Sequence, residues 1–326
     1  MTAGAIWLVT GASGFIGSAL LGALRSTAQP VLAAGRNPPP TDSAAAPRWL
    51  RLDLAERSIE LPSGIDTVLH LAGEKRVEAR MGEVNHLGAA RLVDAAARAG
   101  ARRFVHLSSV GVYGAPKHAG VVDELRPHRP VNAYERSKDA GERAVRERCA
   151  ANAMSCIVLQ PSNVIGWSPQ GRPLLGLMRI VAKGWFRYFG RSDNDSEACV
   201  NYVGVDDVAG ALITAARAEH GDATFIVNTP VPLRDMVGWI ADELTVPTPR
   251  ARLPYPVGVG LAAAGALGRS VLGRELPFSP ERLLELTNTT RYDGSAISRA
   301  LGFDYPCGIE ATLRTLARAY RREGWL

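Results

Sequence analysis

Lysine is scarce in this 326-residue chain. Lys75, Lys117, Lys138 and Lys183 are its only examples, so a lysine that falls into a chemical pattern carries more weight than usual. Cysteine is scarce as well. Cys149, Cys156, Cys199 and Cys307 form no C-x-x-C pair, which argues against a zinc site or a disulfide framework and leaves buried or incidental thiols. No metal is expected. No uncharged apolar run reaches about 18 residues, so no spanning helix and no membrane partner are expected. The most apolar stretch, Val257 to Leu267, is short and broken by glycines. Met1 to Thr10 has no basic start before its apolar residues, which excludes a cleaved signal and leaves a first strand and a cytoplasmic location as the expectation. There is no internal repeat and no low-complexity tract.

With 46% apolar and 21% charged residues, the chain can bury a full core, as one generous domain or two lobes. Its net charge of +6 is carried mostly by arginine interleaved with acids, so nucleic acid is not an expected partner. A local excess at Arg172, Arg179, Lys183, Arg187 and Arg191 suits either an anionic substrate or a solvated helix face.

The first half alternates short apolar or β-branched runs with alanine-rich segments of helical period, the pattern of βαβ units and a parallel sheet. Strands are expected at 5–10, 30–35, 48–52, 66–71, 102–108 and 155–160, and helices at 15–26, 83–99 and 131–151. The proline- and alanine-rich segment Asn37 to Pro47 reads as an exposed, mobile loop. After Pro161 the pattern is less regular, although Val200 to Val208 and Phe225 to Asn228 read as strands. The expected organisation is an α/β fold, a Rossmann-type doubly wound parallel sheet with a smaller, discontinuous C-terminal substrate lobe. Residues 1–165 would bind the cofactor, with 200–228 returning to that domain, while 166–199 and 229–326 form the lobe.

Thr10-Gly11-Ala12-Ser13-Gly14-Phe15-Ile16-Gly17 follows an expected strand and opens an expected helix. Its glycines permit a tight turn, close approach of a pyrophosphate, and helix–sheet packing. The second strand ends in Ala34-Gly35-Arg36-Asn37. An acid there would accept a ribose hydroxyl; Arg36 instead suits a 2′-phosphate, so NADP is favoured over NAD. Asp53, after the third strand, is a candidate for the adenine amino group. Tyr134 and Lys138 stand four residues apart, hence on one helix face. A neighbouring cation favours a phenolate, and a phenol so tuned exchanges a proton with a carbinol oxygen while hydride moves at nicotinamide.

Together these segments resemble the extended short-chain dehydrogenase/reductases of the epimerase/dehydratase type, over nearly the whole chain. The resemblance rests on TGASGFIG at 10–17, HLAG at 70–73, Asn85 with Gly88, FVHLSSVGVYG at 104–114, YERSK at 134–138, QPSNVIG at 160–166 and YVGVDDVAGA at 202–211. It implies that Ser109 hydrogen-bonds the reacting oxygen, that Tyr134 carries the proton, and that Lys138 binds the nicotinamide ribose and lowers the tyrosine pKa. It also implies cofactor contacts from Gly11, Ser13, Gly14, Phe15, Ile16, Gly17, Arg36, Asp53, Leu54, Leu71, Ala72, Gly73, Asn85 and Pro161. Asn163 and Arg191 become candidate substrate contacts, and Trp185, Phe186, Tyr188 and Phe189 candidates for the cleft or the core.

Departures from the family pattern narrow the chemistry. Val110-Gly111 replaces the Asp-Glu pair of dehydratases, which disfavours 4,6-dehydration. Val200 and Gln160 stand where relatives carry arginines, which weakens a diphosphate clamp. The first reading is therefore an NADP-dependent 4-keto reductase or epimerase of a sugar nucleotide. A second is a reductase of an apolar carbonyl, of hydroxysteroid or dihydroflavonol type, and a third a non-catalytic NADP-binding sensor or assembly protein. The resemblance also implies a homodimer, in which the helices at 83–99 and 131–151 pair across a two-fold axis.

Overall fold

The computed structural model describes residues 5–38, 47–114, 119–168, 171–190, 198–219, 221–272 (backbone alone from 266) and 279–326. The segment Asn37 to Pro47 therefore lies largely outside the described residues. In chain order the first half runs β1 (Ile6–Thr10), α1 (Phe15–Leu24), β2 (Val31–Gly35), β3 (Arg48–Arg51), β4 (Ile65–His70), α2 (Glu78–Met81), a π-helical turn (Gly82–Gly88), α3 (Ala89–Arg98), β5 (Arg103–Leu107), β6 (Val121–Val122) and α4 (Ala133–Ala151). The second half continues with β7 (Ser155–Pro161), β8 (Asn163–Ile165), α5 (Leu175–Ala182), β9 (Tyr188–Phe189), β10 (Cys199–Gly204), α6 (Val205–Arg217), β11 (Ala223–Val227), β12 (Thr229–Pro232) and α7 (Leu233–Leu244). It closes with β13 (Arg252–Leu253), α8 (Tyr255–Leu272), α9 (Pro280–Leu286), β14 (Arg291–Tyr292), α10 (Ser295–Leu301) and α11 (Ile309–Arg322).

Seven strands form one parallel sheet in the order β11-β7-β5-β4-β1-β2-β3. Its central strands are covered on both faces, which is why they read as nearly continuous apolar runs. One apolar core joins α1 and α6 to the sheet through Leu20, Leu21, Leu24, Val208 and Leu212. The opposite core joins α3 and α4 through Leu92, Val93, Val145 and Cys149. The chain leaves β1 for β2 on one side, and β4 flanks β1 on the other, so the strand order reverses at the carboxyl end of β1. Crevices for ligands open at such a point. A third core, with Met178, Phe186, Ile240 and Leu313, gathers α5, α7 and α11.

Two sequence expectations change. The run Val200 to Val208 is a strand only to Gly204; extended backbone at Gly204 then starts α6, with Asp206 and Asp207 in its first turn. Acids there suit the positive end of a helix. Buried Asp207 also accepts the Cys307 and Gly308 N–H groups, 2.9 Å each, and so ties α6 to the start of α11. The helix expected over 83–99 begins earlier, at Glu78, and passes through the π turn at Gly82–Gly88 before α3. α4 starts as a capping box: Asn132 Oδ1 accepts the Glu135 N–H at 2.9 Å, and Glu135 Oε2 accepts the Val131 N–H at 2.8 Å.

Candidate active site

The glycine-rich turn sits at the carboxyl end of β1. Gly11 has φ +67°, and a Cβ there would stand 2.7 Å from the Ala72 nitrogen, so no larger residue fits between β1 and the Leu71–Ala72 backbone. α1 begins without any side-chain cap, behind the exposed Ser13 and Gly14. Its first N–H groups are thus left without a side-chain partner, the condition of helix starts that receive the pyrophosphate of a dinucleotide. Phe15 and Ile16 are half-buried there, and Gly17 is buried.

Arg36 is exposed just past β2 and lies near enough to Glu74 to act on it. Backbone N–H groups of Arg76, Val77 and Lys75, with Arg36 adding its charge, hold the Glu74 carboxyl below the usual range. Asp53 is half-buried, accepts the Ala55 N–H at 3.0 Å and lies 3.9 Å from Arg80. Leu54 belongs to the core, and its carbonyl accepts from Arg91 at 2.8 Å, so its side chain does not face the crevice. Leu71 and Ala72 are half-buried, Gly73 is exposed, and Pro161 is buried at the end of β7.

The π turn explains Asn85. Its extra residue turns this buried side chain inward, where Oδ1 accepts the Glu74 N–H at 2.7 Å and Nδ2 donates to the Glu74 carbonyl at 2.8 Å and to Ser137 Oγ at 2.9 Å. The Gly73 turn is thereby fastened to α4. The approach requires Gly141, because any Cβ there would overlap the Asn85 carbonyl oxygen.

Lys138 reaches from α4 to the end of β5, donating from Nζ to the Leu107 carbonyl at 2.6 Å, two residues before Ser109. Ser109 caps the short 3-10 turn Val110–Tyr113 by accepting the Gly111 N–H at 3.1 Å, and stays half-buried. The first turn of α4 packs on the same spot, since a Cβ on Gly111 would stand 3.0 Å from Glu135 Cγ and 3.4 Å from Ser109 Oγ. The structure thus brings β5, α4 and the π turn together around Ser109, Tyr134, Lys138 and Asn85. The expected lowering of the tyrosine pKa is not found. Burial raises the Tyr134 phenol instead, and the Lys138 ammonium donates to the Leu107 carbonyl. Burial also pulls Lys138 down to about 8, with Glu142 opposing.

Two residues missed from the sequence lie beneath this group. His70 and His106 are paired in register on β4 and β5, with ring centroids 5.3 Å apart. His70 Nδ1 meets Thr10 Oγ1 at 2.7 Å. Burial, reinforced by the Lys138 charge, lowers His70 to about 3 and His106 well below its ordinary value, so both rings are neutral. Strand pairing was the signal that would have joined them.

The substrate candidates fare differently. Asn163 is exposed at the start of β8, beside the cofactor crevice's strand end. Arg191 lies outside the described residues. Arg172 stacks on the Trp325 ring at 3.9 Å, and Arg179 donates to the Trp325 carbonyl at 2.9 Å, so these two arginines fasten the end of the chain and are not set out for a substrate anion. Gln160 is fully buried. It accepts from Tyr113 at 2.5 Å and donates to Glu142 at 2.9 Å, a position turned into the fold and away from the crevice. Its difference from the family arginine therefore carries no message about a diphosphate. Phe186 is core, Tyr188 and Phe189 are half-buried, and Trp185 is largely exposed.

A parallel sheet with a glycine turn at its switch point, and Ser109, Tyr134 and Lys138 on neighbouring elements, is the arrangement expected of a nicotinamide-dependent oxidoreductase. The family model "NAD dependent epimerase/dehydratase family" matches residues 7–228, and the chain belongs to that family. An Escherichia coli O157:H7 protein, N-acetyl-alpha-D-glucosaminyl-diphospho-ditrans,octacis-undecaprenol 4-epimerase, is 27% identical over 264 residues, covering 77% of this chain and 78% of its own. Sterol demethylase protein B of Methylococcus capsulatus is 26% identical and spans 98% of this chain and 99% of its own. Among solved structures, MoeE5 in complex with UDP-glucose and NAD superposes with a TM-score of 0.68 at 26% identity, covering 98% of this chain and 99% of that one.

Proposed function

We propose that the chain is an NADP-dependent oxidoreductase that moves hydride to or from a ring carbonyl or carbinol of a sugar carried on a diphosphate, as a 4-keto reductase or an epimerase. Residues 1–165 and 200–228 carry the cofactor in this reading, and 166–199 with 229–326 carry the substrate. Its main support is that Lys138 is anchored at the end of β5, two residues before Ser109, while the first turn of α4, which carries Tyr134, packs against the Ser109–Gly111 turn. Bound nicotinamide supplies or accepts the hydride. Ser109 donates to the reacting oxygen, and Tyr134 delivers the proton when a carbonyl is reduced, or takes it when a carbinol is oxidised. Lys138 holds the ribose hydroxyls in place of the Leu107 carbonyl, and in that position its charge favours loss of the Tyr134 proton. Arg36 receives the 2′-phosphate.

The carrier of the diphosphate is open to two chemistries. MoeE5 binds a nucleotide sugar, whereas the Escherichia coli relative is named for a polyprenol-linked one. End-to-end similarity to the sterol demethylase protein B favours, as a second reading, a lobe shaped for apolar matter. We further propose that α3 and α4 pair across a two-fold axis in a homodimer. NADPH fluorescence titrated with UDP-sugars and with a polyprenyl-diphosphate sugar tests the main reading. Tyr134→Phe is expected to retain NADPH affinity and to lose at least a hundredfold in turnover. Turnover equal to that of the unaltered protein refutes the assignment.

A further inference from the structure

The helix α8 is built inside out. Over its described side chains it buries Gly258, Ala262 and Gly265 and turns Tyr255, Val257, Val259 and Leu261 to solvent. The small residues permit a close seat: a Cβ on Gly258 would stand 2.7 Å from the Phe189 ring and 2.8 Å from Leu283. The large residues flank this buried seam and are only partly covered, Val257, Val259 and Leu261 remaining 44–47% exposed. Not one charge occurs between Pro254 and Leu267. Leu284 of α9 adds a further exposed apolar side chain, and Trp185, ahead of β9, is 67% exposed.

Cations stand beside Trp185 and at the start of α8, while the exposed acids Glu281 and Glu285 lie at the α9 end of this face. Lys183 lies 5.0 Å from the Trp185 ring centroid, and Arg252, on the strand that leads into α8, stands 5.8 Å from that of Tyr188. The neighbouring cleft contains Arg234, Arg250 and Arg252, while its acids Asp235 and Asp242 are engaged by Arg234 and Arg314. An exposed tryptophan and an uncharged apolar helix face bordered by arginine and lysine are the features of a segment that lies in a membrane interface. A basic border also selects anionic headgroups over zwitterionic ones.

We infer that α8 and Trp185 dock this protein on an anionic membrane surface. No helix of the described residues is long and apolar enough to cross a bilayer, and docking in the interface needs none. The inference rests on the diphosphate-sugar reading in one respect: a docked lobe selects the lipid-carried form of that substrate over the nucleotide-carried one.

Co-sedimentation with vesicles of phosphatidylglycerol and phosphatidylethanolamine, against vesicles of phosphatidylcholine, tests it on the full chain. Binding is expected to the anionic vesicles and to fall with salt. The double variant Val257→Glu, Leu261→Glu and the single variant Trp185→Glu are expected to lose at least tenfold in vesicle affinity with NADPH binding and thermal midpoint unchanged. Wild-type protein left in the supernatant, or charged variants that bind equally well, overturns the inference. So does light scattering that shows the double variant dissociating a dimer, which would assign the face to a second copy. Vesicle binding requires no turnover, so intact docking with neither reduction nor epimerisation of a diphosphate-linked sugar would sink the enzymatic reading alone.

Discussion

Replacing Lys138 with methionine is expected to stabilise the cofactor-free protein at neutral pH while abolishing its chemistry. The side chain is 6% exposed, and burial brings its ammonium from an ordinary 10.5 to about 8. At about 1.4 kcal/mol per tenfold change in proton affinity, carrying this charge into the fold costs about 3 kcal/mol. The unfolded chain holds the proton up to its ordinary value, whereas the folded chain releases it near 8. The cost is therefore complete below pH 8, shrinks between pH 8 and 10.5, and is gone above. Methionine is close to lysine in length and carries no charge. Its loss is the bond to the Leu107 carbonyl, worth about 1 kcal/mol. The balance is a gain of about 2 kcal/mol at pH 7 that disappears by about pH 10. Urea unfolding of both proteins without cofactor, at pH 7 and pH 10, measures it. A methionine variant less stable than wild type at pH 7, or an advantage that does not change with pH, refutes the reasoning.

Arg36→Ala is expected to weaken NADPH binding roughly ten- to a hundredfold, the value of one charge-assisted hydrogen bond, and to leave NADH binding unchanged; an unaltered ratio in fluorescence titration removes Arg36 from the cofactor site. Gly141→Ala gains about 1 kcal/mol in helix propensity and is nevertheless expected to lose about 2 kcal/mol overall, because its methyl overlaps the Asn85 carbonyl. A rise in the thermal midpoint of that variant would mean that α4 and the π turn are free to separate. Size-exclusion chromatography with light scattering is expected to give a dimer, and a strict monomer across the micromolar range would end the pairing proposed for α3 and α4.

What the sequence made legible was whatever depends on neighbours along the chain. The glycine turn between a buried strand and α1 is local, and it lies where the residue pattern puts it. The Tyr134–Lys138 spacing put both residues on one helix, as α4 has them, but did not show where the ammonium points, because the Leu107 carbonyl that attracts it is 31 residues away. The π turn was hidden for a related reason. One inserted residue leaves little mark on a helical pattern, and the close approach that goes with it depends on Gly141 of another helix. The β-branched run after Tyr202 suggested a longer strand, and here a local signal was available: paired acids after an extended glycine mark a helix start.

The buried charges explain why glutamine at position 160 suits this chain. Glu142 stands one helical turn after Lys138, is itself buried, and is the acid that keeps the lysine from falling further below its ordinary value. It is satisfied by neutral Gln160 at 2.9 Å and by Arg146 at 3.3 Å. An arginine at 160 would place a second cation deep in the same sheet, draw on the same carboxylate, and leave Lys138 with more of its desolvation uncompensated. Gln160 binds Tyr113 and Glu142 without charge, so the carboxylate remains available to Lys138. The neutral imidazoles of His70 and His106 act in the same direction, since either one protonated would repel the ammonium. In this arrangement the charge on Lys138 near neutral pH is maintained by one acid, shared with Arg146, and by an uncharged residue at position 160.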